Sequence, residues 1–328
     1  MTARRIDVHS HYLGPAVAEM FASGFSLAGG YKIPARWSTE AALAFMDRHG
    51  IATQILSAPW SFRGTPEDPA LATRFCRAVN EEYAELAEKH PGRFGAFASL
   101  PADDSASALA ELRHALDVLH LDGVLLTSNA EGGHYLGGDH YEPILAEIHE
   151  RGVPAFVHPR NPPCLDAVGF GRSPSVVEFT FDTARTVTNA IYTGVFQRYP
   201  GLKLILAHCG GPLPSLGWRI AEHTVMGMGP GDADIDPAHV TGVLRGLYYE
   251  TALAGGPHSL RPALEVTSPG HLLFGTDWPL APEATVTRNN DNLAAFDGLT
   301  ADELAAVGGA NAVPLFPRFS RLTCFPET

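Results

Sequence analysis

The chain has 328 residues, of which 45% are hydrophobic, and this length and composition allow a large buried core. Its formal net charge of −13 at pH 7 argues against nucleic acid as a partner. A small anionic substrate stays compatible with that charge, because a metal ion and one arginine can reverse the potential locally. The four cysteines form no C-x-x-C pair, so they do not suggest a disulfide framework.

Short apolar runs alternate along the chain with longer amphipathic stretches, a pattern typical of βα units around parallel strands. We predict eight strands, at residues 6–8, 52–56, 94–97, 123–126, 155–157, 202–206, 247–249 and 272–274. Helices are predicted at residues 40–49, 70–89, 105–119, 141–151 and 301–315. Eight strands with helices between them favour an α/β fold of the (β/α)8 TIM-barrel type over an open, doubly wound sheet. We expect one domain over residues 1–328.

Two segments are too long for a minimal barrel. Residues 14–37 follow the first strand and residues 159–177 follow the fifth, and both are punctuated by glycine and proline. They are predicted as loop insertions at the C-terminal face, where barrel enzymes build their sites. The sequence has no apolar run long enough to cross a bilayer, and its start runs directly into strand-like sequence. We therefore expect a cytoplasmic protein without a membrane partner.

A titratable side chain follows each of four predicted strands. His9 and His11 end the first strand, and residues two apart on a strand point the same way. His158, His208 and Asp277 follow the fifth, sixth and eighth strands. Because the strand ends of a barrel ring one mouth, we expect these side chains to converge. Imidazole and carboxylate suit zinc, iron(II), cobalt and manganese as metal ligands. A site made of three of these four histidines and the aspartate would leave room on the metal for a water or a substrate oxygen.

The end of the fourth strand favours one metal ion over two. Two-metal barrel hydrolases usually need a bridging group there, often a carboxylated lysine. The chain has only three lysines, Lys32, Lys89 and Lys203, whereas the fourth strand ends in Leu126-Thr127-Ser128-Asn129. We therefore predict a single divalent ion.

Taken together, the motifs resemble those of the amidohydrolase superfamily, within the decarboxylase branch typified by aminocarboxymuconate-semialdehyde decarboxylase. The chain looks most like the 6-methylsalicylate and γ-resorcylate decarboxylases of that branch. The resemblance runs over nearly the whole chain and implies an amidohydrolase-type barrel. Its main motifs are Ile6-Asp7-Val8-His9-Ser10-His11, Pro91-Gly92-Arg93-Phe94-Gly95, Val157-His158-Pro159, Ala207-His208-Cys209-Gly210-Gly211 and Phe274-Gly275-Thr276-Asp277-Trp278-Pro279.

The resemblance also implies roles for individual residues. The metal ligands would be His9, His11, His158 and Asp277. His208 matches a histidine that acts as a general base, and Arg219 matches an arginine that binds a substrate carboxylate. The family metal is zinc in some members and manganese in others, and we expect zinc here. Members are commonly homodimers and in some cases tetramers, so a homodimer is expected.

The sequence departs from the family pattern in places. The aminocarboxymuconate enzyme has a longer insert after strand one with a second substrate-binding arginine, whereas this loop offers only Lys32 and Arg36. This weakens the case for a substrate with two anionic groups. The γ-resorcylate enzymes replace the first histidine of the pair by glutamate, but His9 is kept here. Cys209 stands where small residues are more usual.

The predicted activity is non-oxidative decarboxylation of a small aromatic or unsaturated carboxylic acid, such as an ortho-hydroxybenzoate. A divalent ion would bind the substrate and withdraw charge, and either Asp277 or His208 would protonate the carbon that loses CO₂. Arg219 would orient an anionic group. Trp60 and Trp278 would form the apolar wall of a flat pocket.

Two other functions use the same residues. In a hydrolase, His208 would deprotonate a metal-bound water for attack on a lactone, ester or amide, and Asp277 would protonate the leaving group. The motifs alone do not separate this reaction from decarboxylation, which is favoured by the resemblance. A barrel that binds metal without catalysis would be expected to lack part of the constellation, and all five residues are present.

Overall fold

Eight parallel strands form a closed barrel in a computed structural model that describes residues 5–22, 37–58, 68, 70–102, 104–130, 133–228 and 235–322. The strands are β1 (Arg5–His11), β2 (Ile51–Ser57), β3 (Phe94–Ala98), β4 (Gly123–Thr127), β5 (Ala155–His158), β6 (Leu204–Leu206), β7 (Tyr248–Glu250) and β8 (Leu272–Leu273). Each strand pairs with the next one along the chain. The backbone N–H of Val8 donates to Phe274 at 2.9 Å and that of His11 donates to Trp278 at 2.7 Å, which closes the ring. The predicted barrel is confirmed.

Helices surround the barrel and connect the strands. They are α1 (Pro15–Ala22), α2 (Thr39–Arg48), α3 (Leu71–Lys89), α4 (Ser105–Asp117), α5 (Glu142–Arg151), α6 (Leu165–Val168), α7 (Glu178–Tyr192), α8 (Val195–Arg198), α9 (Leu213–His223), α10 (Pro237–Gly246), α11 (Pro257–Val266), α12 (Glu283–Ala294) and α13 (Ala301–Gly308). Side-chain caps start several of them: Asp104 accepts the N–H of Ser107 at 2.8 Å, and Thr300 with Glu303 forms a capping box before α13. None of these helices, within the described ranges, is long and apolar enough to cross a membrane.

The predicted elements differ from the observed ones mainly at their ends. The predicted last helix, 301–315, is wrong in its second half: α13 stops at Gly308, and a 3₁₀ turn follows at Ala310–Ala312. The paired glycines Gly308 and Gly309 favour this break, since glycine stabilises a helix poorly. The predicted insertion at 14–37 contains a regular element, α1, whose Ala16 N–H donates to Glu82 of α3 at 3.0 Å. The insertion at 159–177 carries α6 and a 3₁₀ turn, Pro174–Val176.

Two apolar cores fill the molecule. The larger one lies between the strands and the surrounding helices, and the smaller one fills the interior of the barrel. At the amino ends of the strands, which we call the floor, the interior core continues into Leu315, Phe316 and Phe319, each at most 3% exposed. The Phe316 ring meets the Phe97 ring of β3 edge-on at 5.7 Å. The segment after α13 therefore seals the floor and leaves the opposite end, the mouth, for polar residues.

Candidate active site

Four predicted ligands meet at the mouth of the barrel. The ligand atoms of His9, His11, His158 and Asp277 all lie within 4.8 Å of one another. The Nε2 atoms of His9 and His11 are 3.0 Å apart, and the Oδ1 atom of Asp277 lies 2.8 Å from His11 Nε2. His9 and His11 are fully buried, and His158 is 5% exposed. The structure therefore brings together the whole ligand set predicted from the sequence.

Hydrogen bonds fix which ring nitrogen each histidine presents. The Nδ1–H of His9 donates to Glu250 at 2.8 Å, and the Nδ1–H of His158 donates to the Pro159 carbonyl at 2.8 Å. The Nδ1 atom of His11 lies 3.2 Å from Ser57 Oγ, whose own proton is donated to the Ser10 carbonyl, so this hydroxyl accepts from His11. All three rings thus turn an Nε2 lone pair toward the shared point, as metal-binding histidines do.

This arrangement calls for a positive charge at its centre. The Nε2 lone pairs of neutral His9 and His11 face each other at 3.0 Å beside the Asp277 carboxylate. Without a cation between them, these electron-rich atoms would repel one another. Burial lowers the pKa of His9, but the Glu250 and Asp277 carboxylates outweigh it and raise that pKa to about 10. A divalent ion would take the place of that proton. The residues present therefore fit a divalent metal ion.

His208 lies beside the four ligands without joining them. It sits in a 3₁₀ turn directly after β6, and its ring centroid is 5.0 Å from that of His9. Its Nδ1–H donates to the Ala252 carbonyl at 2.9 Å, which leaves Nε2 as the proton-accepting atom. His208 and Asp277 both have left-handed backbones, with φ of 55° and 63°, a conformation that costs a non-glycine residue about 1 kcal/mol or more. Such strain is typical of functional sites.

Glu250 is a buried residue of the site that the sequence analysis missed. It ends β7 and is fully buried, and its carboxylate contacts both His9 and the backbone of His208. The signal that would have found it is the same strand-end position that marked the predicted ligands. The predicted seventh strand, 247–249, ended one residue short of it.

Comparisons with known proteins identify relatives of this chain in sequence and in fold. A family model described as Amidohydrolase matches residues 6–318. The chain belongs to this family. It is 32% identical to 6-methylsalicylic acid decarboxylase of Penicillium expansum over 96% of both chains. A crystal structure of 2,6-dihydroxybenzoate decarboxylase complexed with 2,6-dihydroxybenzoate superposes with a TM-score of 0.77 at 26% identity, over 96% of this chain and 99% of the other.

A second solved structure bears on the metal. The dihydroxybenzoic acid decarboxylase of Polaromonas sp. JS666, determined with bound manganese and the inhibitor 2-nitroresorcinol, superposes with a TM-score of 0.79 at 25% identity. It covers 98% of this chain and 99% of that one. The chain is thus similar to decarboxylases along almost its whole length. The buried cluster of histidines and aspartate at its barrel mouth supports the binding of a divalent metal ion.

The structure places the other predicted site residues less centrally. Arg219 is exposed on α9 and makes no hydrogen bond or ion pair within the described part of the chain. Trp278 is 8% exposed and stacks on Phe45 of α2, with ring centroids 4.6 Å apart. Trp60 lies outside the described residues, as do Lys32 and Arg36. The roles assigned to these residues stay predictions.

Cys209 now has a structural explanation. It is 1% exposed and packs in the core between strands and helices, and burial raises the pKa of its thiol, so the group is a neutral apolar filler. Its backbone has a φ of 53°, so Cys209 belongs to the same left-handed turn that orients the His208 side chain. Gly211 follows with a φ of 58°, and a Cβ there would meet the Thr180 carbonyl at 2.6 Å. The sequence Cys-Gly-Gly thus serves the tight turn after His208.

Proposed function

We propose that this amidohydrolase is a divalent-metal-dependent, non-oxidative decarboxylase of a small hydroxybenzoate that carries a hydroxyl group next to its carboxylate. The observation that carries the proposal is the buried convergence of His9, His11, His158 and Asp277 at 4.8 Å or less, in a chain whose relatives are hydroxybenzoate decarboxylases. A neighbouring carboxylate and hydroxyl are the two oxygen groups that a divalent ion can bind together.

The four converging residues would hold the ion. When bound, it would polarise the carboxylate-bearing substrate and offset charge as CO₂ leaves. Zinc is the metal expected with the family resemblance, whereas a relative at 25% identity holds manganese, and histidine and carboxylate ligands accept both. We propose that Mn²⁺ or Zn²⁺ supports activity, with Mn²⁺ the first to test.

His208 is the proposed proton carrier. Its Nδ1–H is committed to Ala252, so Nε2 is the atom that would take a proton from solvent and deliver it to the ring carbon from which CO₂ leaves. Asp277 was the other candidate acid. Its Oδ1 atom already lies 2.8 Å from His11 Nε2 and 3.4 Å from His9 Nε2, which supports a role as ligand first. Its further role in proton transfer stays part of the proposal.

The substrate-binding roles rest on family resemblance. Arg219 is proposed to bind an anionic substrate group, and Trp60 and Trp278 are proposed to flank the aromatic ring. Of these, only Trp278 has a described environment at the mouth, directly after the ligand Asp277.

We also propose a homodimer. The outer face of α9 and the turn that follows it expose large apolar side chains, which include Trp218 at 78%, Met226 at 48% and Met228 at 72%. Large exposed apolar patches are typical of surfaces that bind another protein. Light scattering during size-exclusion chromatography would give the mass in solution, and the mass of a single chain would exclude this proposal.

A cytoplasmic location is proposed on chemical grounds. The described cysteines Cys76, Cys164 and Cys209 are free thiols, as expected where glutathione keeps thiols reduced.

A paired assay tests the proposed reaction. The purified protein is stripped of metal, reloaded with Mn²⁺ or Zn²⁺, and offered salicylate, 6-methylsalicylate and 2,6-dihydroxybenzoate, with lactones and amides in parallel. Metal-dependent CO₂ release from an ortho-hydroxybenzoate is the expected outcome. Acid release from a lactone or amide without CO₂ would instead assign a hydrolase and overturn the proposal.

A further inference from the structure

Glu250 contacts two functional residues at once. Its Oε1 atom accepts the Nδ1–H of His9 at 2.8 Å and the backbone N–H of His208 at 2.5 Å. Its Oε2 atom accepts the backbone N–H of Ala252 at 2.6 Å. The Ala252 carbonyl in turn accepts the Nδ1–H of His208 at 2.9 Å. Hydrogen bonds thus join Glu250, Ala252 and His208 in a closed ring. Glu250 also connects this ring to the ligand His9.

We propose that Glu250 is a positioning residue that couples the metal ligand His9 to the proton carrier His208. It holds His9 in the tautomer that presents Nε2, and it holds the left-handed backbone of His208 so that its own Nε2 faces the same mouth. The role of His208 in this coupling rests on the proposed function, whereas the contact with His9 rests on the metal site alone.

The carboxylate is required because its partners are all donors. Three N–H groups point at two oxygen atoms of Glu250, and each of the two oxygens accepts at least one of them. A glutamine has one oxygen and one NH₂ group. In either orientation its NH₂ would face an N–H donor, and the buried donor would lose its partner.

A second metal ion is the rival explanation of this cluster. Ligand atoms of His9, His208 and Glu250 also lie within 4.8 Å of one another. However, both oxygens of Glu250 are occupied by N–H donors, and the Nδ1–H of His208 is donated to a carbonyl. Glu250 and His208 therefore orient the site, and a single ion is left to His9, His11, His158 and Asp277, as the end of the fourth strand predicts.

Gly275 gives a second way to disturb the same carboxylate. A Cβ atom at Gly275 would lie 2.0 Å from Oε2 of Glu250 and 2.9 Å from Cβ of His9. The carboxylate therefore occupies the space that a side chain at residue 275 would need. Gly275→Ala should crowd both Glu250 and His9 without changing any charge or hydrogen-bonding group of the site, so it disturbs their contact sterically where Glu250→Gln disturbs it chemically.

The test compares Glu250→Gln and Gly275→Ala with a matched control, Glu111→Gln. Glu111 is a buried carboxylate on α4 that binds Arg77 and Asn80, 1% exposed and separate from the site. Mn²⁺ affinity is measured by titration of the full, metal-free chain, and absorption bands of the Co²⁺-loaded protein report on the histidine ligands. We expect both site variants to bind Mn²⁺ about 10–100-fold more weakly and to shift the Co²⁺ bands, and the control to do neither.

Kinetics at saturating Mn²⁺ test the second half of the coupling. Glu250→Gln should lower kcat with little change in KM, and adding it to His208→Ala should cause no further loss, because it acts through His208. Wild-type Mn²⁺ affinity and unchanged Co²⁺ bands in Glu250→Gln would overturn the proposal, as would fully multiplicative losses in the double variant. If the wild-type protein released no CO₂ from any hydroxybenzoate, the proposed function would fail, whereas the metal and Co²⁺ measurements would still decide the contact with His9.

Discussion

The two ends of the barrel use the same eight strands in opposite ways. At the floor, the interior is closed by apolar side chains such as Phe97, Phe316 and Phe319, all fully buried or nearly so. At the mouth, the same strands end in buried histidines and carboxylates, and His208 and Asp277 take strained backbone conformations. The floor thus contributes stability, whereas the mouth gives up some stability for a preorganised site.

This division predicts that residues at the two ends fail differently when changed. A change at the mouth should remove activity from a folded protein, and a change at the floor should lower stability in a protein that is active while folded.

His208→Ala should cause the largest effect. It removes the proposed proton carrier but no ligand, so kcat should fall by about 10²–10⁴-fold while the metal stays bound. Asp277→Ala is the comparison variant, because it removes a ligand and should lower metal content together with the rate. Metal content by mass spectrometry separates the two. Loss of metal from the His208 variant would show that His208 is itself a ligand.

Phe316→Ala should lower the free energy of unfolding but leave the activity of the folded protein unchanged. The side chain is 1% exposed and packs on Phe97, so its truncation should cost about 3–5 kcal/mol of unfolding free energy. Phe170→Ala, at a phenylalanine that is 80% exposed, should change stability by about 0.5 kcal/mol or less. Urea unfolding followed by fluorescence gives both values. A floor variant as stable as the wild type would break the comparison.

Arg219→Ala should have the smallest effect. If this arginine binds a substrate carboxylate, its loss should raise KM about tenfold with a smaller change in kcat, since a charged hydrogen bond is removed. Arg245→Ala changes another exposed arginine, on α10, and should leave KM as it is. Steady-state kinetics on both variants decides the matter, and equal KM values would make Arg219 a surface residue without a part in binding.

Much of the fold was predictable because its signals are local. The strand cores at 94–97 and 123–126 and the helix at 105–119 were found within two residues, since apolar periodicity marks elements whichever neighbours they pack against. The floor was not predictable. Nothing local in Leu315, Phe316 and Phe319 shows that they leave the helical layer and enter the barrel, which depends on contacts with strands far away in sequence.

The site divides in the same way. His9, His11, His158 and Asp277 were predictable because each follows an apolar strand, and barrel geometry converts that position into proximity. Glu250 occupies the equivalent position on β7, but it follows two tyrosines, and no histidine or cysteine beside it marks a metal or catalytic motif. Its importance lies in accepting backbone N–H groups, which a sequence does not display.

The ring of strands is closed by its first and last members. His11 and Asp277, 266 residues apart in the chain, meet across this closure, where the backbone N–H of Asp277 also donates to the His9 carbonyl at 2.7 Å. An ion bound by these residues would hold the first and last strands of the barrel together. At a free concentration 100 times its Kd, such an ion would add about 2.7 kcal/mol to the free energy of unfolding. The supply of metal in a cell would thus govern how long the protein stays folded, and its turnover by proteases, as well as how fast it works.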